Sequence, residues 1–109
     1  MSGEGEAGKC EVIVAPSAVE DIVRLETRRQ RLILKGIAKL ESDPRPPKSE
    51  KLTNYHPPFR RVRIGDYRAL YAFLEDEHKV VVLVVRHRRE AYAGLDNLAA
   101  LLNRALNKS

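Results

Sequence analysis

With 109 residues and a mass of 12.4 kDa, the chain is long enough for one domain and too short for two. Hydrophobic residues make up 43%, with 6% aromatics and no Trp, so a core must be built mainly of Val, Leu, Ile and Ala. The formal charge of +5 and a pI near 9.6 draw such a domain towards polyanions, of which nucleic acid is the commonest, although the same excess also serves solubility alone.

Taken in chain order, residues 1–8 are rich in Gly and Glu and lack an apolar run. They read as a disordered tail, neither signal peptide nor anchor, with residues 9–109 as the single domain. A short apolar strand, Cys10–Ala15, follows and is stopped by Pro16. Cys10 is the only cysteine, which excludes an intrachain disulfide and a thiolate zinc site; it reads as a small hydrophobe at the start of that strand. Ser17-Ala18-Val19-Glu20 has the spacing of a capping box, and Ala18, Ile22 and Leu25 continue at helical spacing. A second helical pattern from about Arg28 puts Ile33, Ile37 and Leu40 on one face. Its other face carries Arg28, Arg31, Lys35 and Lys39 and reads first as a solvated face. It ends at Asp43-Pro44, where Pro44, Pro46 and Pro47 forbid continuation.

Lys48–Pro58 reads as a polar connection with one apolar anchor, Leu52. Three segments of strand character come next. Phe59–Ile64 alternates Val62 and Ile64 against Arg61 and Arg63, and Gly65-Asp66 reads as a turn. Tyr67–Leu74 opposes Tyr67, Ala69, Tyr71 and Phe73 to Arg68, Leu70, Ala72 and Leu74. Beyond a charged tip, Lys79–Arg86 is almost wholly Val and Leu, as in a strand buried on both faces. Its longest apolar run is far too short to span a bilayer, so no membrane is expected and a cytoplasmic place follows. Leu95, Leu98, Leu102 and Leu106 then mark a C-terminal helix within residues 93–109.

The order β-α-α-β-β-β-α implies an α+β fold. A small antiparallel sheet, mixed where the N-terminal strand joins it, would carry the helix pair on one face. Arg61 and Arg63 share a strand face, Arg68 follows the turn, and Arg86-His87-Arg88-Arg89 ends the third strand with Tyr92 within reach. If the three strands are adjacent, these arginines converge, and guanidinium groups hold phosphate bidentately. A solvated strand face explains Arg61 and Arg63 equally well, and Arg68 has Asp66 and Glu90 as candidate ion-pair partners. His56 and His78 read as solvated loop residues, and Tyr67 and Tyr71 as core. No cofactor is called for.

The segment FRRVRIGDYRALYAFLEDEHKVVVLVVRHRREAY, with the helix pair, DPRPP and Lys51-Leu52 upstream, resembles the RelE/ParE toxin superfamily over roughly Lys9 to Tyr92. Its arginine–tyrosine ending is closer to the RelE ribonuclease branch than to the gyrase-directed ParE branch. The resemblance implies a metal-independent messenger RNA interferase working on the ribosome, in which a 2′-hydroxyl attacks the adjacent phosphate, and a cognate antitoxin as partner. It implies Arg61, Arg68, Arg88 and Tyr92 as catalytic residues, with Arg60, Arg61, Arg63, Arg86 and Arg89 holding RNA. His87, the one neutral-range titrating group beside them, is a candidate acid or base. Arg86 stands where the family often has Gly, and Arg61 and Arg63 where some relatives carry lysines. A ParE-like gyrase poison and a catalytically silent RNA binder are the alternatives.

Overall fold

Six consecutive apolar residues, Val80–Val85, need cover on both faces. The computed structural model, which describes residues 9–52, 59–90 and 97–107, provides it by setting them inside a sheet between two helical layers. The elements are β1 (Glu11–Val14), α1 (Pro16–Val23), α2 (Thr27–Ala38), β2 (Ser49–Leu52), β3 (Phe59–Ile64), β4 (Tyr67–Leu74), β5 (Lys79–His87) and α3 (Leu98–Asn107). The strands lie in the order β1-β5-β4-β3-β2; β1 runs parallel to β5 and every other pair is antiparallel. This is the expected α+β class with a mixed sheet, extended by one strand. The expected tail at residues 1–8 and the start of the C-terminal helix at Leu95 lie outside the described residues.

The added strand is β2, drawn from the stretch expected to be a plain connection. Ser49, Glu50, Lys51 and Leu52 pair with Val62, Arg61, Arg60 and Phe59, and Leu52 is buried. A strand of composition Ser-Glu-Lys-Leu has little intrinsic signal, but charged side chains suit an exposed sheet edge because they discourage further pairing.

Alternation along each strand sorts the core into two layers. Val62, Ile64, Tyr67, Ala69, Tyr71, Val80, Val82 and Val85 pack with Ala18 and Ile22 of α1 and Ile33 and Ile37 of α2. On the other face Leu52, Phe59, Leu70, Ala72, Val81, Leu83 and Val84 pack with Leu98 and Leu102 of α3. Adjacent residues Leu83 and Val84 share that face because the β4–β5 ladder slips: Leu70 pairs with Val84 but Tyr71 with Val82. Leu83 is the extra residue of a β-bulge, which restores the alternation in opposite phase beyond it.

Ser17 does not form the expected capping box. The helix starts from Ala15 with Pro16 in its first turn, where the missing N–H costs nothing, and no side chain caps it. Instead the Ser17 hydroxyl donates to the Leu83 carbonyl at 2.7 Å. Gln30 closes the corner between the helices by donating to the Leu25 carbonyl at 2.9 Å.

Two glycines set how closely α2 meets the sheet. Gly65 takes φ +61° at the first central position of the β3–β4 turn, as a type II′ hairpin requires. Gly36 lets α2 lie directly on β3: a Cβ there would stand 2.8–2.9 Å from three side-chain atoms of Ile64. Gly36→Ala therefore sets a helix-propensity gain of about 1 kcal/mol against an overpacking cost of about 1–3 kcal/mol. Because the atoms met include Cγ1 and Cγ2, fixed near the Ile64 stem, the clash prevails. A lower thermal midpoint by circular dichroism is expected, and Ile64→Ala, itself destabilising because Ile64 is buried, should cost less in the Gly36→Ala chain than in the parent; an unchanged midpoint in Gly36→Ala would contradict this packing.

Candidate nucleic-acid interface

Cross-strand register places three arginines in one row. Arg63 of β3 pairs with Arg68 of β4, and Arg68 pairs with Arg86 of β5. Directly opposed residues share a face, so all three leave the sheet on the side of Leu70 and Val84, past the part covered by α3. Arg61, two residues before Arg63, stands on the same face opposite Leu70. After β5 the chain turns back over the hairpin: the Arg88 amide donates to the Asp66 carbonyl at 2.7 Å, which brings Arg88 beside the β3–β4 turn.

Like charges so arranged act on one another. The Arg68 guanidinium is held below its ordinary pKa, first by partial burial, then by the positive charges of Arg61, Arg63 and Arg88, with Asp66 opposing. Arg68 donates to the carbonyls of Gly65 and Tyr67 at 3.3 and 3.0 Å, and these neutral acceptors fix its direction without cancelling its charge. Among the described residues Arg63, Arg68 and Arg88 enter no ion pair with a carboxylate, so neither Asp66 nor Glu90 serves Arg68 in that way. Two other arginines are paired. Arg61, largely buried, meets Glu50 of β2 at 3.0 Å, and Arg86 meets Asp21 of α1 at 2.7 Å.

The structure brings Arg61, Arg63, Arg68 and Arg88 together and sends other candidates elsewhere. Arg60 pairs with Tyr71, whose ring lies in the core under α1 and α2. Its guanidinium donates to the Ser49 hydroxyl at 2.8 Å. The Tyr71 hydroxyl donates to the Pro44 carbonyl at 2.6 Å, and burial pushes its pKa up. Arg60 thus tightens the edge strand on the side of α1 and α2. His87 also faces the α1–α2 side: it pairs with Tyr67, and the two rings meet edge-on with centroids 5.4 Å apart. Its Nδ1 accepts the Arg89 amide at 3.2 Å, while Arg89 itself is exposed. Arg86 shares the row by register but its charge is engaged at the sheet edge. Tyr92 and His56 lie outside the described residues. His78 sits exposed at the β4–β5 tip, and Tyr67 and Tyr71 are core, as read.

Two acids escaped the sequence reading. Glu50 becomes visible only once β2 is paired with β3, which sets it opposite Arg61. Asp21 carries no local signal, since its partners lie 64 and 65 positions away. The arrangement offers a cationic surface suited to a chain of phosphates. Among the described residues no group of three or more His, Cys, Asp and Glu side chains could hold a metal ion, and no helix is long and apolar enough to cross a membrane.

Comparison with known proteins bears on the same region. The family described as the ParE toxin of the type II toxin–antitoxin system parDE matches residues 12–92. Among solved structures the chain is similar to an archaeal RelE–RelB complex from Pyrococcus horikoshii OT3, with 24% identity over 76% of this chain and 99% of that one and a TM-score of 0.66. It is also similar to the toxin–antitoxin complex RelBE2 from Mycobacterium tuberculosis, with 25% identity, 73% and 99% coverage and a TM-score of 0.67. A RelB–RelE complex from Methanococcus jannaschii aligns at 20% identity over 76% of this chain and 98% of that one, with a TM-score of 0.59. No curated protein matches.

The two faces make a direct comparison possible. Arg63→Gln should elute earlier from a heparin column in a salt gradient with no loss of thermal stability, since it removes a repelling charge from beside Arg68. Arg60→Gln should elute as the parent does but lose about 1 kcal/mol of stability with its hydrogen bond to Ser49. Equal retention losses in the two variants would show that the arginines do not act as separate faces.

Proposed function

Because the chain belongs to the ParE toxin family, and so to the RelE/ParE superfamily of type II toxins, we propose that it is a RelE-type endoribonuclease. On this reading it works in the cytosol, cuts messenger RNA on the ribosome, and is neutralised by a cognate antitoxin. The observation that carries the reading is the convergence of Arg61, Arg63 and Arg68 on one sheet face, with Arg88 brought beside them at the β3–β4 turn. The solved relatives are toxin–antitoxin complexes, which supports a partner of that kind.

In the proposed reaction a 2′-oxygen of the message bonds to the adjacent phosphorus and the bond from phosphorus to the 5′-oxygen breaks. A cyclic phosphate and a 5′-hydroxyl result; one proton leaves the 2′-oxygen and one reaches the 5′-oxygen. Charge on the non-bridging oxygens grows on the way to the transition state, and fixed cations aimed at it lower the barrier. Arg63 grips the strand, Arg61 adds its charge from its place beside Glu50, Arg68 stands at the centre of the field, and Arg88 serves the departing oxygen. Arginine supplies charge rather than a titrating group. His87 points to the other side of the sheet, so the reading gives it no proton transfer at this row. Tyr92 keeps the role beside the nucleotide that the resemblance implies.

A second reading, gyrase poisoning without RNA cleavage, is favoured by the description of the matching family as a ParE toxin. Both are decided by a translation reaction on a defined message with cleavage ends mapped by primer extension, run beside a gyrase supercoiling assay. Cuts within translated codons that need ribosomes are expected from the parent. Arg68→Ala or Arg88→Ala should lower the rate by about 100-fold or more with folding retained. Intact message together with inhibited supercoiling would replace this reading by the second.

A further inference from the structure

Arg86 is the cross-strand partner of Arg68, yet its guanidinium does not join the row: Nη1 lies 2.7 Å from Oδ2 of Asp21 on α1. The same Asp21 oxygen accepts the Val85 amide at 3.0 Å, one residue earlier on β5. β1 pairs with β5 only from Lys79 to Val82, so the outer edge of β5 beyond Val82 has no strand beside it. Asp21, with Ser17 on the Leu83 carbonyl, stands where that strand would have been. One carboxylate oxygen thereby does two things: it holds the end of β5 and removes one of the arginines that the register would deliver to the interface.

We propose that Asp21 is a positioning residue of the arginine surface, holding Arg86 away from Arg68 so that Arg88 completes the phosphate site. This rests on the reading of that surface as facing RNA. The field at Arg68 agrees with it, since the cations that act there are Arg61, Arg63 and Arg88 although Arg86 is opposite in register. Phosphate then meets arginines on β3, on β4 and in the turn after β5, and a further cation, Arg86, is held in reserve at the sheet edge. Without the carboxylate charge, Arg86 becomes a competing ligand one strand from Arg68 and draws the backbone off the Arg68–Arg88 axis.

Asp21→Asn separates the two duties, because the amide oxygen still accepts the Val85 N–H while the charge that holds Arg86 is gone. The probe is a fluorescent single-stranded RNA dodecamer with 2′-methoxy groups, which lack the attacking hydroxyl. The variant should keep its thermal midpoint and the slow hydrogen exchange of the Val85 amide. It should bind the probe about three- to tenfold tighter at low salt, with a slope of log affinity against log salt steeper by about 0.7, the increment for one added phosphate contact on a single strand. Asp21→Asn/Arg86→Gln should return both to the parent values. In the translation reaction Asp21→Asn should half-saturate at lower concentration yet cut more slowly.

Parent-like affinity and salt slope in Asp21→Asn, or a gain that survives Arg86→Gln, would overturn the proposal, as would the absence of probe binding by the parent. A parent that binds the probe but leaves message intact would defeat the enzymatic reading, while the binding series still decides the role of Asp21.

Discussion

The outer edge of β5 is hydrogen-bonded in two ways along its length. From Lys79 to Val82 it is completed by β1 in parallel register; from Leu83 to Val85 it is completed by side chains of α1. A strand buried on both faces cannot leave backbone groups unpaired, because each would retain its desolvation cost with no compensating bond. The join between the two modes is made by Ala15, whose amide donates to the Val82 carbonyl at 2.9 Å as the chain leaves β1 for α1. The placement of α1, the burial of Val80–Val85 and the direction of the chain at Arg86–Arg89 all depend on this edge.

The bulge at Leu83 belongs to the same arrangement. It falls where the strand neighbour ends, and it inverts the phase of the alternation before the arginines begin. With the phase so set, Arg86 emerges level with Arg68 and His87 meets the Tyr67 ring under the helices. Acids then sort the cations. Glu50 and Asp21 are each on an element flanking the row, one on the edge strand and one on the helix at the opposite edge, and each engages the arginine nearest to it. Arg63, Arg68 and Arg88, between them, keep their charge uncompensated by carboxylates among the described residues. Their mutual repulsion raises the free energy of the folded chain and is relieved when an anion arrives, which couples folding stability to ligand binding.

Much of this architecture is written in local periodicity. The stripes of Ile33 and Ile37, the inward tyrosines of β4 and the hairpin turn at Gly65 follow from spacings of 3.6 and 2 and from a glycine where φ is positive. The arginine row is legible for the same reason, since two hairpin-connected strands fix their own register. Adjacency in the chain, in contrast, grouped Arg60 with Arg61 and His87 with Arg88; strand alternation puts the first pair on opposite faces, and the turn that begins after His87 carries Arg88 back over the hairpin, away from the Tyr67 side. Ser17 shows the limit from another side: its spacing to Glu20 matches a local cap, but a carbonyl on β5 is the partner it finds. Asp21 is defined only by partners 64 and 65 positions away, which no window along the chain contains; β2 and Glu50 lie near their partners on β3, but Ser-Glu-Lys-Leu carries no apolar alternation to announce the strand.

The pairing of Glu11 with Lys79 also fixes an order of events in time. β1 is made well before its partner strand, so during synthesis it waits for two helices and three strands to emerge before β5 follows. The hairpin of β3 and β4 closes with local partners and precedes it. The end of β5 that sets Arg88 over the turn is held only when both β4 and α1 flank it. Assembly of the arginine row is accordingly a late event in folding on the ribosome, and a chain truncated before β5 carries the cations of β3 and β4 without the geometry that joins them to the last one.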